Sequence, residues 1–470
     1  MQSNQSVQKN NRELLLGLLV FTLIISVMNA TMFNIVLPNI SEQFQLSPSQ
    51  ASWIITGYMI VYAIGSVTYG KLTDRYSLKN LLTFGLLLFA IGSIVGLAAI
   101  QYWMVIVGRI VQAAGASVIP AIAMIVPVRY FSPESRGRAL GTVAIGFSLG
   151  LAMGPIIAGV VSSTWNWRVL FVISLLSLLA LPMYRKYLDE EKGVARKIDF
   201  IGGLLLAGTV AILLLALTNG SIWFALVGTI TLIFFLLRIR YTSAPFINPA
   251  IFRNKPFTFG LIITFVMIGI SFAIPFITPQ LLSSVNHSSP VFIGMVMLPS
   301  SLMAAFLGRR GGKLADEKGN PFLVYTAAAL LLIGFISLSS VVGMSPVFIG
   351  IFLIFGAVGQ SFMQIAMSNT VSRTLSKEHI GVGMGLFSMI TFISTATSTA
   401  VIGKILDLGT STIRLNPIPQ NSTTIIYSNI FMVLAILIVV VAAFYYVQFG
   451  RAVKMDADEK MNSEPVTSKG

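Results

Sequence analysis

Long apolar blocks separated by short polar connectors repeat along almost the whole chain. Each block has about 20 residues, the length at which an α-helix crosses the hydrocarbon core of a bilayer. Only 10% of the residues are charged, whereas a water-soluble domain carries about 25%. The sequence therefore predicts an all-α integral membrane protein with the lipid bilayer as its main solvent.

The apolar blocks predict fourteen transmembrane helices. These cover residues 14–36, 52–69, 80–99, 103–127, 138–162, 167–184, 199–218, 221–238, 258–281, 290–308, 322–341, 346–370, 382–406 and 424–447. The first block is too long for the core of a signal peptide, and no small-residue cleavage pattern follows it. We therefore expect the first helix to be retained.

The basic residues indicate the direction in which the chain crosses the membrane. If the N-terminus is cytoplasmic, 27 of the 31 Lys and Arg residues lie in connectors or tails on that side, in line with the positive-inside rule. The exceptions are Arg109, Arg168, Lys404 and Arg414. We expect both termini to be cytoplasmic, and the absence of cysteine suits a bacterial plasma membrane. Because the net charge of +15 is spread over the connectors, we predict no nucleic-acid partner.

Two connectors 242 residues apart read alike, which indicates an internal repeat. Gly70-Lys-Leu-Thr-Asp74-Arg75 follows the second helix, and Gly312-Lys-Leu-Ala-Asp316-Glu317 follows the tenth. Six helices with connectors need roughly 200 residues, so the surplus fits one inserted helix pair. The predicted organisation is a tail (1–13), a six-helix bundle (14–184), a linker with the inserted pair (185–240), a second six-helix bundle (241–447) and a tail (448–470).

Several motifs carry a resemblance to a known family. The connector after the second helix reads Gly70-Lys-Leu-Thr-Asp74-Arg75-Tyr-Ser-Leu-Lys79, and the first helix contains Asn29-Ala-Thr31-Met-Phe-Asn34-Ile-Val-Leu37-Pro38. The fourth helix contains Arg109-Ile-Val-Gln112-Ala-Ala-Gly115, and Asn166-Trp167-Arg168 precedes the sixth. In these motifs the chain resembles the major facilitator superfamily, specifically its fourteen-helix drug:proton antiporters, and within them the tetracycline and multidrug efflux proteins of Gram-positive bacteria. The resemblance implies the major facilitator fold, with two six-helix bundles around a central cavity and a central inserted helix pair.

The repeated connector is a candidate gate. Asp74 lies among Lys71, Arg75 and Lys79, where a carboxylate can hold neighbouring helix ends by charge-assisted hydrogen bonds. If those bonds form in only one arrangement of the two halves, they bias the conformational equilibrium. The alternative is that these charges only fix the topology. The residues assigned to gating are Gly70, Asp74, Arg75, Lys79 and Asp316.

Arg109 is the most informative single residue, because it lies within an apolar helix. An Arg there costs about 2.5–3.5 kcal/mol on insertion scales, so it normally faces a wet cavity or a partner. Gln112 lies one helical turn away, and the resemblance implies a role for Arg109 and Gln112 in proton coupling. The alternative is a structural Arg that donates to backbone carbonyls.

The fifth helix carries small residues at short intervals, followed by a proline. Small residues let helices approach closely, and proline permits a bend. The resemblance identifies this series as the antiporter motif, in which a close helix contact seals the cavity against leak, whereas ordinary tight packing is the alternative. The motif residues are Gly146, Gly150, Gly154, Pro155 and Gly159, preceded by Gly141.

Polar residues in other helices are candidates for the lining of a substrate cavity. Gln360 and Gln364 are four residues apart and share one face of the twelfth helix. Interhelical hydrogen bonds are the alternative for each of these residues. The predicted cavity residues are Asn29, Asn34, Tyr58, Gln360 and Gln364, with Tyr62 beside Tyr58 on the second helix.

No acidic residue falls in the middle of a predicted helix, which limits the mechanism. Proton-driven export of cations usually relies on a buried carboxylate. The tetracycline exporters that the chain resembles carry a Glu where Leu151 stands, so this departure argues against tetracycline and lipophilic cations. A neutral, zwitterionic or anionic substrate would suit Arg109 better. A proton could be carried by Asp74 or along water near Arg109.

The residue inventory narrows the function. There is no cysteine, and His287 and His379 lie far apart in connectors, so we predict no metal site, no cofactor and no enzyme activity. In Gly308-Arg-Arg-Gly-Gly-Lys-Leu314 the spacing is short for a phosphate-binding loop, and Leu314 stands where Ser or Thr would bind magnesium. We predict a monomeric secondary transporter that exports drugs or other small amphipathic molecules in exchange for protons. Alternatives are an importer or facilitator of a small metabolite, or a membrane-embedded enzyme or channel.

Overall fold

The computed structural model describes residues 2–73, 75–131, 133–188, 199–375, 380–419 and 422–450, and these residues form helices without any strand. The α-helices are Gln2–Phe44, Pro48–Leu72, Leu78–Leu97, Tyr102–Ala116, Val118–Tyr130, Pro133–Thr164, Val169–Leu175, Leu181–Tyr187, Phe200–Asn219, Ile222–Tyr241, Lys255–Ser284, Pro290–Lys318, Asn320–Val341, Pro346–Arg373, Ile380–Leu406 and Ser422–Tyr445. Two 3-10 helices lie at Leu176–Ala180 and Pro249–Arg253, and a π-helix lies at Tyr446–Gly450.

Fourteen segments of the described chain are long and apolar enough to cross a membrane, which confirms the predicted number and positions. We number them spans 1 to 14 in chain order. Span 4 consists of two helices that meet at Ser117, and span 6 is interrupted by the 3-10 turn Leu176–Ala180. Fourteen crossings bring Arg12 and Phe449, the ends of spans 1 and 14, to the same side of the membrane. We call this the inner side and the opposite one the outer side.

Several spans begin with a serine or asparagine cap followed by proline. Ser47 and Gln50 form a capping box before span 2, in which Gln50 N–H donates to Ser47 Oγ and Ser47 N–H donates to Gln50 Oε1. Ser289 caps span 10 and Asn254 caps span 9, each with a proline in the first two helical positions. These residues satisfy N–H groups that lack a helical partner and fix where each span starts.

The spans form two bundles that meet along two seams. In the first bundle, span 1 packs on span 5 and span 3 packs on span 4; in the second, span 12 packs on spans 10 and 11. Between the bundles, span 2 packs on span 13 and span 5 packs on span 10. In the internal repeat predicted from the sequence, span 10 corresponds to span 2 and span 13 to span 5, so that repeat would relate the two seams to each other.

Both seams are closed near their outer ends. At the first seam, Ser49 N–H donates to Asp407 Oδ1 over 2.9 Å and Thr56 Oγ1 donates to the Ala396 carbonyl over 3.3 Å. At the second, a Cβ on Gly159 would lie only 3.3 Å from the Cα of Gly294, so the two backbones touch. The structure therefore shows a conformation in which the bundles are joined on the outer side.

The inserted pair, spans 7 and 8, lies outside the two bundles. Span 7 packs on spans 2 and 13, and span 8 packs on span 7. At the outer end of span 2, Trp53 Nε1 donates to Thr218 Oγ1 over 3.3 Å. At its inner end, Lys71 Nζ donates to the carbonyls of Pro245 and Phe246 over 3.0 and 2.7 Å. Span 2 therefore holds the pair at both ends.

Candidate functional site

The structure places Arg109 at the centre of a buried polar cluster in the first bundle. Its side chain is 0% exposed. Arg109 Nη1 donates to Asn29 Oδ1 over 2.6 Å and to Gln112 Oε1 over 3.1 Å, and Nε lies 3.4 Å from the Ile54 carbonyl. Three predicted residues, Arg109, Gln112 and Asn29, are thus brought together from spans 4 and 1.

Two serines from other spans complete this cluster. Gln112 Nε2 donates to Ser93 Oγ of span 3 over 2.8 Å, and Asn29 Nδ2 donates to Ser174 Oγ of span 6 over 2.5 Å. Both serines are 0% exposed. The two amides are therefore fixed with their oxygens towards the guanidinium, and the charge is held by a rigid set of neutral dipoles.

Aromatic rings enclose the guanidinium on two sides. Arg109 Cζ lies 4.1 Å from the ring centroid of Phe33 and 3.9 Å from that of Tyr58. Tyr58 stacks on Tyr62 at a centroid distance of 5.5 Å, and Tyr62 meets Phe392 edge-on at 4.8 Å. Because Phe392 belongs to span 13, this series of contacts links Arg109 to the second bundle.

The positive charge of Arg109 has no described acidic partner. Among the residues that the structure describes, no carboxylate lies within ion-pair distance of the guanidinium. Arg109 Nη2 and the Tyr58 hydroxyl are buried and have no hydrogen-bond partner among the described residues. A buried cation that is held only by dipoles and ring faces is electrostatically sensitive to any second charge that enters nearby.

The remaining predicted cavity amides, Asn34, Gln360 and Gln364, are not members of this cluster. Gln360 and Gln364 are half-buried on span 12, and Asn34 is half-buried on span 1. Asn34 Oδ1 and Gln364 Oε1 are buried atoms that find no hydrogen-bond partner in the described part of the chain. Gln280 on span 9 was not predicted from the sequence. Its Nε2 is likewise buried and has no hydrogen-bond partner among the described residues. No hydrogen bond between described residues joins Gln360 or Gln364 to Arg109.

The small residues of span 5 form the close contacts that the sequence predicts. Gly146 and Gly150 face span 1, where a Cβ would lie 2.9 and 2.8 Å from Val20 and Val27 side-chain atoms. A Cβ on Gly154 would lie 2.1 Å from Thr31 Oγ1. Further out, Gly159 and the carbonyl of Pro155 meet Gly294 of span 10. The same helix therefore packs within the first bundle and closes the second seam.

The structure describes the predicted gate only in part. Asp74 lies outside the described residues. Asp316 was predicted in a connector, but it lies within the helix Pro290–Lys318, because this helix continues beyond its apolar part; its side chain is not described. Gly70 and Lys79 are half-buried at the inner ends of spans 2 and 3, and Arg75 is exposed with its guanidinium 5.4 Å from the ring of Tyr76. The gating role of these residues therefore stays a prediction. In the same connector, Lys71 donates to the linker after span 8.

Sequence reasoning missed Ser93, Ser174, Phe33 and Phe392. Each stands singly in an apolar span, and serine or phenylalanine at such a position is common in membrane helices. The spacing of Asn29 and Phe33, one helical turn apart, placed both on one face of span 1. It did not indicate that this face meets Arg109.

Comparisons with known proteins agree with this architecture. The family described as Major Facilitator Superfamily matches residues 19–399. The Riboflavin transporter RibZ of Clostridioides difficile (strain 630) is 27% identical over 386 residues, which is 80% of this chain and 84% of RibZ. The MFS-type transporter YvkA of Bacillus subtilis (strain 168) is 26% identical over 408 residues, 83% of this chain and 90% of YvkA.

Solved transporter structures share the fold at low sequence identity. A POT family transporter in complex with 5-aminolevulinic acid superimposes with a TM-score of 0.68 and 13% identity, covering 92% of this chain and 96% of that one. A bacterial homologue of the human lysosomal transporter Spinster, inward-facing and unoccupied, gives a TM-score of 0.65 and 15% identity over 93% of this chain and 97% of that one. The family match spans most of the chain, and the chain belongs to the major facilitator superfamily of membrane transporters.

Proposed function

We propose that this transporter exports small amphipathic molecules in exchange for protons by alternating access, with the Arg109 cluster as its coupling element. The observation that carries the proposal is the fully buried guanidinium of Arg109, which is held by neutral groups and enclosed by Phe33 and Tyr58. Tyr58 stacks on Tyr62, which contacts Phe392 of span 13, and span 13 moves against span 2 when the bundles rock. A change in conformation is therefore expected to change the surroundings of the charge.

The charge of Arg109 limits which substrates can bind beside it. Two like charges 4 Å apart repel by about 4 kcal/mol at an effective dielectric constant of 20. A cationic substrate and an excess proton are therefore both disfavoured beside Arg109, whereas a neutral or anionic substrate is not. This supports export of neutral, zwitterionic or anionic amphipathic compounds rather than lipophilic cations.

The packing of span 5 supports exchange rather than free permeation. Gly146, Gly150 and Gly154 bring spans 1 and 5 into close contact, and Gly159 joins the bundles on the outer side. Tight backbone contacts leave little room for water or ions to pass when the outer side is closed. Coupled exchange depends on such a seal, because a leak would dissipate the proton gradient without moving substrate.

A second candidate function is transport of a small metabolite, in either direction. It is favoured by the relative named as a riboflavin transporter, which covers most of this chain. Riboflavin is a neutral, planar molecule whose amide-like edge can hydrogen-bond with side-chain amides. Asn34 and Gln364 have buried amide oxygens that accept no hydrogen bond from the residues that the structure describes, and these atoms suit such a ligand.

Transport in proteoliposomes of known orientation tests both candidates. A proton gradient would be imposed, and a panel of neutral, anionic and cationic drugs would be followed together with riboflavin and internal pH. We expect a neutral or anionic compound to move against its gradient with opposite proton flux. Arg109→Ala should abolish uphill transport, and Arg253→Ala, which removes an exposed arginine, should behave as the unchanged protein.

The outcome separates the two proposals. Movement of riboflavin alone would replace the drug-export proposal by metabolite transport. Uphill transport that persists in Arg109→Ala would remove the Arg109 cluster from the coupling mechanism. Transport without any proton flux would refute proton exchange.

A further inference from the structure

A groove on the membrane-facing side of the inserted pair has no role in the proposed exchange. It lies between spans 7 and 8 and is lined by Leu205, Phe234, Leu237, Arg238, Tyr241 and Thr242. Its apolar walls are widely exposed, with Phe234 at 56% and Leu237 at 44%. Span 8 packs only on span 7 among the described elements with extensive contacts, so the groove opens towards the lipid.

Polar groups are confined to one end of the groove. Span 8 ends at Tyr241, so Arg238, Tyr241 and Thr242 lie where the span leaves the bilayer. Tyr241 is 79% exposed, as is typical of an aromatic residue at the membrane–water interface. This end is on the inner side, where the positive-inside rule predicts the cytoplasmic leaflet. The groove therefore joins exposed apolar walls to an arginine side chain at headgroup depth.

The guanidinium of Arg238 is oriented by a buried carboxylate. Arg238 Nε donates to Asp199 Oδ1 over 3.1 Å, and Asp199 is 4% exposed. Asp199 also accepts the N–H groups of Gly202 and Phe246, over 3.0 and 3.2 Å. The carboxylate is thus satisfied largely by backbone donors, and it fixes the Arg238 side chain through one nitrogen. The Nη1 and Nη2 nitrogens of Arg238 have no hydrogen-bond partner among the described residues.

We propose that this groove is a binding site for an anionic phospholipid of the inner leaflet. An acyl chain lies along Leu205, Phe234 and Leu237, and the phosphate accepts hydrogen bonds from Arg238 Nη1 and Nη2. A guanidinium with two parallel donors matches the geometry of a phosphate. Basic pockets between helices on the cytoplasmic side suit anionic rather than zwitterionic headgroups, and Arg240 adds a second positive charge beside the mouth.

Native mass spectrometry of the detergent-purified full chain tests this site. The protein would be titrated with phosphatidylglycerol or with phosphatidylcholine of the same acyl chains. We expect one phosphatidylglycerol to be retained in preference to phosphatidylcholine. Arg238→Gln should lower this affinity about fivefold or more, since one basic contact near the membrane surface contributes about 1 kcal/mol. Arg240→Gln, at the same helix end but outside the groove, should have a smaller effect.

A second variant tests the groove without changing the ion pair between Arg238 and Asp199. Leu205→Trp fills the apolar part of the groove and leaves every charge in place. It should therefore reduce phosphatidylglycerol retention, and this result does not depend on whether Arg238→Gln disturbs the fold. Unchanged retention in Leu205→Trp would overturn the proposal. So would equal losses in Arg238→Gln and Arg240→Gln, which would indicate a diffuse charge effect. Equal binding of phosphatidylcholine would refute the anionic headgroup.

Discussion

Replacement of Gly154 by alanine should loosen the contact between spans 1 and 5. An added Cβ would lie 2.1 Å from Thr31 Oγ1, 3.2 Å from Thr31 Cβ and 3.3 Å from the Met28 carbonyl oxygen. The hydroxyl of Thr31 donates to the carbonyls of Val27 and Met28 over 3.3 and 3.2 Å, so it lies against its own helix. Either Thr31 must leave this rotamer and lose these hydrogen bonds, or the two helices must separate, and an overpacked site typically costs about 1–3 kcal/mol.

A double-mutant cycle isolates the clash. Thr31→Ala removes the oxygen at 2.1 Å but leaves the contacts at 3.2 and 3.3 Å, so Gly154→Ala should be less destabilising in the Thr31→Ala background. The matched control is Gly208→Ala on span 7, where an added Cβ meets nothing within 4 Å. There, alanine should leave stability unchanged or raise it by up to about 1 kcal/mol through its helix propensity.

Thermal unfolding of the purified protein and proton leak in proteoliposomes measure the two consequences. Gly154→Ala should lower the midpoint of unfolding and raise the leak, and the added Thr31→Ala should restore part of both. If Gly154→Ala had the same unfolding midpoint and the same proton leak as Gly208→Ala, the predicted clash with Thr31 would be refuted. Equal destabilisation with and without Thr31 would show that the clash lies elsewhere.

Three further perturbations test how the bundles are joined. In this cysteine-free chain, Ser49→Cys with Asp407→Cys should form a disulfide that stops transport until it is reduced; transport that continues when oxidised would mean that this seam need not open. Phe392→Ala removes an edge-on ring contact that contributes about 0.5–1.5 kcal/mol. Distances between spin labels at the outer ends of spans 2 and 13 should then show a larger population in which these ends are apart. An unchanged distance distribution would exclude a role for the Tyr62–Phe392 contact. Lys71→Met removes two charged hydrogen bonds to the linker, each of which typically contributes about 1.5–3 kcal/mol. The variant should have a lower unfolding midpoint and faster proteolysis after Phe246. An unchanged rate of proteolysis would show that Lys71 does not hold the linker.

Much of the fold could be predicted from the sequence because the chain folds in a bilayer. Backbone N–H and C=O groups in lipid must form their hydrogen bonds within each helix. Every crossing therefore needs a long apolar segment, which can be recognised from the local sequence. The fourteen spans followed from block length, and the placement of lysine and arginine predicts the side of the membrane on which each connector lies. Arg109 was identifiable for the same reason, because a charge inside an apolar block is costly and stands out.

The partners of Arg109 were decided by tertiary structure. Ser93, Ser174 and Phe392 come from spans 3, 6 and 13, and nothing local distinguishes them from other serines and phenylalanines in the spans. Helices in a membrane associate through close packing of small residues and a few hydrogen bonds, since lipid is as apolar as their own side chains. Such contacts depend on the fit between surfaces distant in sequence. The sequence by itself therefore determined which segments cross the membrane and where a charge is buried, and only the packing of the spans decided which groups surround that charge.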